Sequence, residues 1–297
     1  MSEQALLNLE NADFKVTIST LGAELQSIYN KRYDFDYLWD DAGRGYWSRH
    51  APLLFPFIGR SNQDSYLLNG QTYSMTQHGF IRDQIFTVSE IDVEHAILKF
   101  TATAETRTKY PFDFDFVVRY SLTKTGLVTT FEVTNNSTAP MPFALGSHPG
   151  FNVVGDLSDY MLTVESATEP VRLKQFGIKP TPFRDGQIKP LTASIGARIP
   201  LNHKLLDDGL IILANTDLTS IKLDSSSTTR SVKLSLTDFP YVAIWSPENK
   251  KAPFVCVEPF AGLPDEYGQP GDMFDKLGNT ILDSGDNKEF KYTLTLA

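Results

Sequence analysis

The sequence predicts an all-β protein built as a large antiparallel β-sandwich, and three observations predict it. Apolar and polar residues alternate with period two in segment after segment. Gly (19) and Pro (17) are spread through the chain as turn punctuation. No window of a dozen residues carries an apolar stripe at i, i+3, i+4, i+7, so helices are not expected.

The elements follow in order. Residues 66–68, the pair Asn69-Gly70 and residues 72–75 read as a tight hairpin, since Asn-Gly is the strongest short turn signal. Phe112, Phe114, Phe116 and Val118 share one face with Asp113 and Asp115 between them, the pattern of a half-buried strand. Lys124-Thr125-Gly126 breaks it, and a second strand over 127–133, ended by Asn135-Asn136, completes a hairpin. Residues 221–223 and 232–236 form another across a polar Ser/Thr stretch. Residues 290–296 alternate cleanly and would close a sheet. Residues 175–189, polar and Pro-containing, read as a loop within one domain spanning 1–297, with no repeat or linker.

The chain has 297 residues, 41% hydrophobic and 12% aromatic, ample material for a core and too apolar for disorder. Its formal net charge is −9, with 27 basic and 36 acidic residues. No Lys/Arg run has the density of a nucleic-acid or membrane patch, so neither partner is expected. A few local arginines still suffice for one small anion. Cys256 is the only cysteine and cannot make an internal disulfide. Residues 1–14 lack a basic-then-apolar leader pattern, and no apolar stretch reaches spanning length. The expectation is a cytoplasmic protein.

Five histidines are present. His95 sits in a strand pattern and His203 in a polar stretch, and both read as surface or turn residues. His78 opens His78-Gly79-Phe80-Ile81-Arg82-Asp83, where glycine permits close backbone approach and Arg82 offers a planar fork of donors. His148 sits in Gly146-Ser147-His148-Pro149-Gly150-Phe151, a segment that holds it in a tight bend. For both, a turn histidine capping backbone groups is an equal alternative. Glu258, in Phe254-Val255-Cys256-Val257-Glu258-Pro259-Phe260, should end a buried strand, where lost solvation raises a carboxyl towards general-base territory. Its ordinary alternative is a structural pair with Arg60 or Arg82. Asp208 precedes Gly209 and reads first as a turn aspartate. Arg60, with Arg49, His50 and Trp47 upstream, adds the arginines and aromatics that sugar sites use.

These segments resemble the aldose 1-epimerase (galactose mutarotase-like) family, in particular its LacX-type branch. The matching pieces run in family order: Pro52-Leu53-Leu54-Phe55-Pro56 with Gly59-Arg60, His78-Gly79-Phe80 with Arg82-Asp83, Gly146 to Phe151, Asp208-Gly209-Leu210-Ile211, and Glu258-Pro259-Phe260. The resemblance implies the family's antiparallel supersandwich with an open sugar cleft; since water alone already mutarotates sugars, no metal or cofactor is expected. It implies that His148 is the general acid, Glu258 the general base, His78 the second histidine near the ring oxygen, and Asp208 (or the adjacent Asp207) and Arg60 sugar-binding residues. Arg82 also resembles an arginine of the hexose-6-phosphate epimerase branch, and the galactose enzymes' longer motif around the first arginine is absent. A hexose and a hexose phosphate are therefore both implied as substrates of a mutarotase.

That reaction needs a base at the C1 hydroxyl and an acid at the ring oxygen, with His148 kept charged by a nearby carboxylate and Glu258 raised by burial. A glycoside hydrolase would need two carboxylates flanking a bond, and only Glu258 stands out as buried. A metal enzyme is disfavoured because no His pair occurs at i, i+2 or i, i+4. A non-catalytic sugar-binding protein of the same fold remains the third class.

Overall fold

The computed structural model describes residues 4–297. Two large sheets carry it. One has nine strands, in the order Arg198–Pro200, Tyr160–Ser166, Leu218–Ser225, Val232–Ser235, Asn287–Leu296, Gly126–Asn135, Phe114–Thr123, His95–Thr101 and Thr87–Ile91. The other has eight: Arg184–Pro190, Lys174–Ile178, Ile211–Leu213, Tyr241–Trp245, Phe254–Ala261, Leu145–Ser147 and Leu53–Leu54, with Gly150–Asn152 also paired to Phe254–Ala261. A four-stranded N-terminal sheet and two small two-stranded ones complete the architecture.

The period-two signal translates directly into burial. In Phe114–Thr123 every second residue, from Phe114 to Leu122, is buried, while the residues between are half-exposed. The partner strand Gly126–Asn135 pairs from Thr123↔Gly126 to Phe114↔Asn135, the hairpin that the break at Lys124-Thr125 predicts. Asn69 and Gly70 both have positive φ (51° and 80°), the requirement of the two-residue turn that joins Ser65–Leu68 to Gln71–Ser74. Inward residues of the two large sheets merge in one core: Phe55, beside Leu53–Leu54, packs 5.0 Å from both Phe114 and Phe116 by ring centroid.

Two expectations change. Residues 175–189 are not a loop: Lys174–Ile178 and Arg184–Pro190 pair as an edge hairpin of the eight-stranded sheet. Most of Arg184–Pro190 faces solvent, so its alternation carries no apolar face to read. The C-terminal strand Asn287–Leu296 lies inside the nine-stranded sheet, between Val232–Ser235 and Gly126–Asn135, rather than at an edge. Helix is confined to short segments such as Ala104–Lys109 and His203–Asp207, and among the described residues no helix is long and apolar enough to cross a membrane.

Phe116 is fully buried where the sheets meet, against Phe55, Phe86 and Phe131. Phe116→Ala should therefore cost about 3–5 kcal/mol, read as a lowered denaturant midpoint with an unchanged slope. A loss below about 1 kcal/mol would mean that this contact does not hold the sheets together.

Candidate functional site

The strand Phe254–Ala261 is buried along all eight residues because both of its faces are covered. Val255, Val257 and Ala261 point into the core between the sheets. Phe254, Cys256, Glu258 and Phe260 point the other way. On that outer face, Phe254 and Cys256 join an aromatic cluster with Trp39, Tyr46, Trp47 and Trp245. Phe260 joins a second cluster with Leu54, Ile58, Phe176 and Ile212. Glu258 stands between the two clusters, opposite Ala243 in the sheet. It lies in the middle of its strand, not at its end, and is 2% exposed.

His148 comes from the bend between Leu145–Ser147 and Gly150–Asn152. Its backbone N–H donates to the Pro52 carbonyl, and the Gly150 N–H donates to that of His50. The ring sits 4.9 Å from Trp47 and 5.6 Å from both Trp245 and His78 by centroid. Its Nε2 lies 3.2 Å from Glu258 Oε2. Nδ1 is buried without a hydrogen-bond partner, so the Glu258 contact orients the ring. Glu258 thus pairs with a histidine rather than with Arg60 or Arg82.

His78 has φ of 65°, in the left-handed region, followed by Gly79 at 73°. A Cβ on Gly79 would lie 2.1 Å from the Phe55 carbonyl oxygen, so only glycine lets this turn approach that strand. The His78 N–H donates to the Gly59 carbonyl, and the Gly59 N–H donates to His78 Nδ1 at 3.1 Å. With Nδ1 as acceptor, the neutral ring carries its proton on Nε2.

These three side chains line a cavity of about 420 Å³ together with Trp47, Trp245, Arg60, Arg82, Gln77, Thr181, Glu248 and several apolar groups. Burial pushes Glu258 well above the ordinary carboxyl value. It pushes His148 down to about 3. His78 is also held well below the ordinary value, first by burial and then by the His148 and Arg82 charges. Burial thus opposes the charge that the reaction asks of His148. At this 3.2 Å contact, burial disfavours the charged form of both groups.

The model of the family described as aldose 1-epimerase matches residues 5–295. The chain belongs to the aldose 1-epimerase family. It is 30% identical to the chromosomal LacX protein of Lactococcus lactis subsp. lactis, over 98% of this chain and 99% of that one. Among solved structures, a galactose mutarotase-like protein from Lactobacillus casei superposes with a TM-score of 0.95 at 46% identity, covering 99% of this chain and 100% of that one. A galactose mutarotase related enzyme from Lactobacillus acidophilus superposes at 0.91 with 31% identity, covering 99% and 97%. The sandwich is thus the galactose mutarotase-like fold.

Against this family frame, the cavity brings together His78, His148, Glu258, Arg60 and Arg82, five of the six residues singled out in the sequence. Asp208 is the correction: it is exposed at the C-terminal end of His203–Asp207 and does not line the cavity, and Asp207 accepts the Asn249 N–H instead. Leu210, two residues on, reaches the cavity wall. Arg49 is drawn off to Asp83 at 2.5 Å and to buried Glu24 at 3.7 Å. His95 is exposed and paired with Asp92, and His203 opens a short helix. Trp245, Glu248, Thr181 and Gln77 also line the cavity, and none of them stands out in the sequence. Trp245 ends the apolar run of Tyr241–Trp245 and donates its indole N–H to Glu248, a carboxylate three residues on. That apolar-then-acid pattern was the available signal.

A raised folded value for Glu258 means that the folded chain holds this proton more tightly than the unfolded chain. Its contribution to stability is present at low pH and is lost as pH rises above the unfolded carboxyl value towards the folded one. Glu258→Gln keeps the shape and removes the ionisation. Its melting temperature should match or exceed that of the parent, by a margin that widens from about pH 5 to about pH 8. A pH-independent difference would contradict a carboxyl held protonated by burial.

Proposed function

We propose that the protein is a cytoplasmic aldose 1-epimerase that interconverts the α and β anomers of a neutral hexose. The observation that carries this reading is the buried His148–Glu258 pair on the floor of an open cavity in a chain of this family. Ring opening needs one group to take the C1 hydroxyl proton while another gives a proton to the ring oxygen. A pair sharing one proton can do both without exchange with solvent.

Before a sugar binds, burial favours the proton on Glu258. A bound sugar changes the balance. Its C1 hydroxyl donates to the carboxylate and its ring oxygen accepts from the imidazolium, and hydrogen bonds to the charged forms favour them. The proton then shifts to His148 Nε2. Glu258 takes the C1 hydroxyl proton, His148 protonates the ring oxygen, and the C1–ring-oxygen bond breaks to give the open-chain aldehyde. Rotation about C1–C2 presents the other face, and the steps reverse. His78 Nε2–H donates beside the ring oxygen, and Trp47 and Trp245 offer apolar faces for the sugar to stack against.

The pairing of Arg60 favours an uncharged substrate over a hexose phosphate. Arg60 is committed to Asp64 by two hydrogen bonds of 2.8 and 2.9 Å. Arg82 donates Nη2 to the Gln77 carbonyl at 2.7 Å. A phosphate at Arg60 would have to compete with Asp64 for the fork, whereas Arg82 keeps its buried Nε without a partner.

Exchange NMR on glucose, galactose and their 6-phosphates tests the reaction. Anomer exchange should accelerate for a neutral hexose and less for its phosphate. Glu258→Gln and His148→Asn should each lower turnover about 10²–10⁴-fold while the circular dichroism spectrum is retained. No acceleration with any of the four sugars would overturn the reading, and faster exchange of a phosphate would overturn the substrate class. With His148 depressed and Glu258 raised, the single-proton state spans neutrality. The pH profile of kcat/KM should therefore lack an inflection at the ordinary histidine value of 6.5, and a limb there would contradict the shared-proton assignment.

A further inference from the structure

Beneath the cavity floor lies a group that mutarotation does not use. Cys256 shares the outer face of its strand with Glu258, two residues away, and is fully buried. One ring nitrogen of His148, the Cys256 sulfur and one Glu258 carboxylate oxygen all lie within 4.8 Å of one another. Ligands around a tetrahedral zinc at about 2.0–2.3 Å are spaced about 3.3–3.8 Å apart. The His148–Glu258 edge already measures 3.2 Å. Small side-chain adjustments would complete the triangle.

We infer that this triangle is an inhibitory site for a thiophilic divalent cation of the zinc class. The chemistry of the donors selects the ion. A thiolate, an imidazole and a carboxylate are the ligands that suit zinc, whereas magnesium and calcium take six or more oxygens and find one carboxylate here. Thiolate and carboxylate together cancel the charge of a dication, so the buried assembly is neutral and avoids the cost of an isolated charge. His148 and Glu258 line the cavity, which leaves the fourth position facing it. A metal seated there takes both members of the proton-sharing pair out of use. The inhibitory consequence rests on the proposed mutarotase reading; the binding does not.

Cadmium titration of the full-length protein separates the two. Binding through Cys256 should produce a thiolate-to-cadmium absorption band in the ultraviolet that saturates at one ion per chain. The band should be lost in both Cys256→Ser and Cys256→Ala, and be displaced by zinc but not by magnesium. In the anomer-exchange assay zinc should inhibit and a chelator should restore activity. The Cys256 variants, with basal turnover retained, should require at least about tenfold more zinc for the same inhibition. Absence of the band in the parent protein, or equal zinc sensitivity in the variants, would overturn the site while leaving the mutarotase reading intact. A band in a protein without anomer exchange would support the site and remove its inhibitory role.

Discussion

The molecule turns on one buried contact, 3.2 Å between His148 Nε2 and Glu258 Oε2, held where neither group can be ionised at low cost. Water would separate their proton affinities in the ordinary order, with the carboxyl acidic and the imidazole basic. Burial drives each towards its neutral form and brings the two affinities together or past each other. A proton that costs little to move between two oriented atoms is what the proposed hemiacetal opening requires.

The rest of the fold can be understood as the means of enforcing that burial. A strand with one face on the core and the other on a solvated surface could not bury a carboxyl on its outer side. Here the outer side of Phe254–Ala261 is roofed by Trp39, Trp47 and Trp245 at one end and by the Phe260 cluster at the other. The tight bend at Pro149 and the left-handed turn at His78-Gly79 then deliver two imidazoles to the gap. The Gly59 N–H donates to His78 Nδ1 and the Gly59 carbonyl accepts the His78 N–H, so the tautomer is fixed by the chain path itself.

Much of this was legible in the sequence because strand alternation is local. Phe114, Phe116 and Val118 announce a buried face, and Asn69-Gly70 announces a turn, without knowledge of what lies opposite. Glycines beside His78 and His148 marked backbone under constraint. What could not be read was pairing between distant segments. The C-terminal strand looks the same from sequence whether it closes a sheet or divides one. The edge hairpin over Lys174–Ile178 and Arg184–Pro190 has too little buried surface to show its period, yet its tip brings Thr181 to the cavity. Asp208 carried a turn signal and a family match, and the geometry follows the turn signal. The depth of His148 was not legible either, because its burial comes from Trp47 and Trp245, which lie far away in sequence.

Infrared difference spectroscopy of the ligand-free protein against Glu258→Gln at neutral pH tests the shared-proton account most directly. The account predicts a protonated-carboxyl stretch that is present in the parent, absent in the variant, and diminished when a sugar substrate is added. A parent spectrum showing only ionised carboxylate at that position would contradict it, and would place the resting proton on His148.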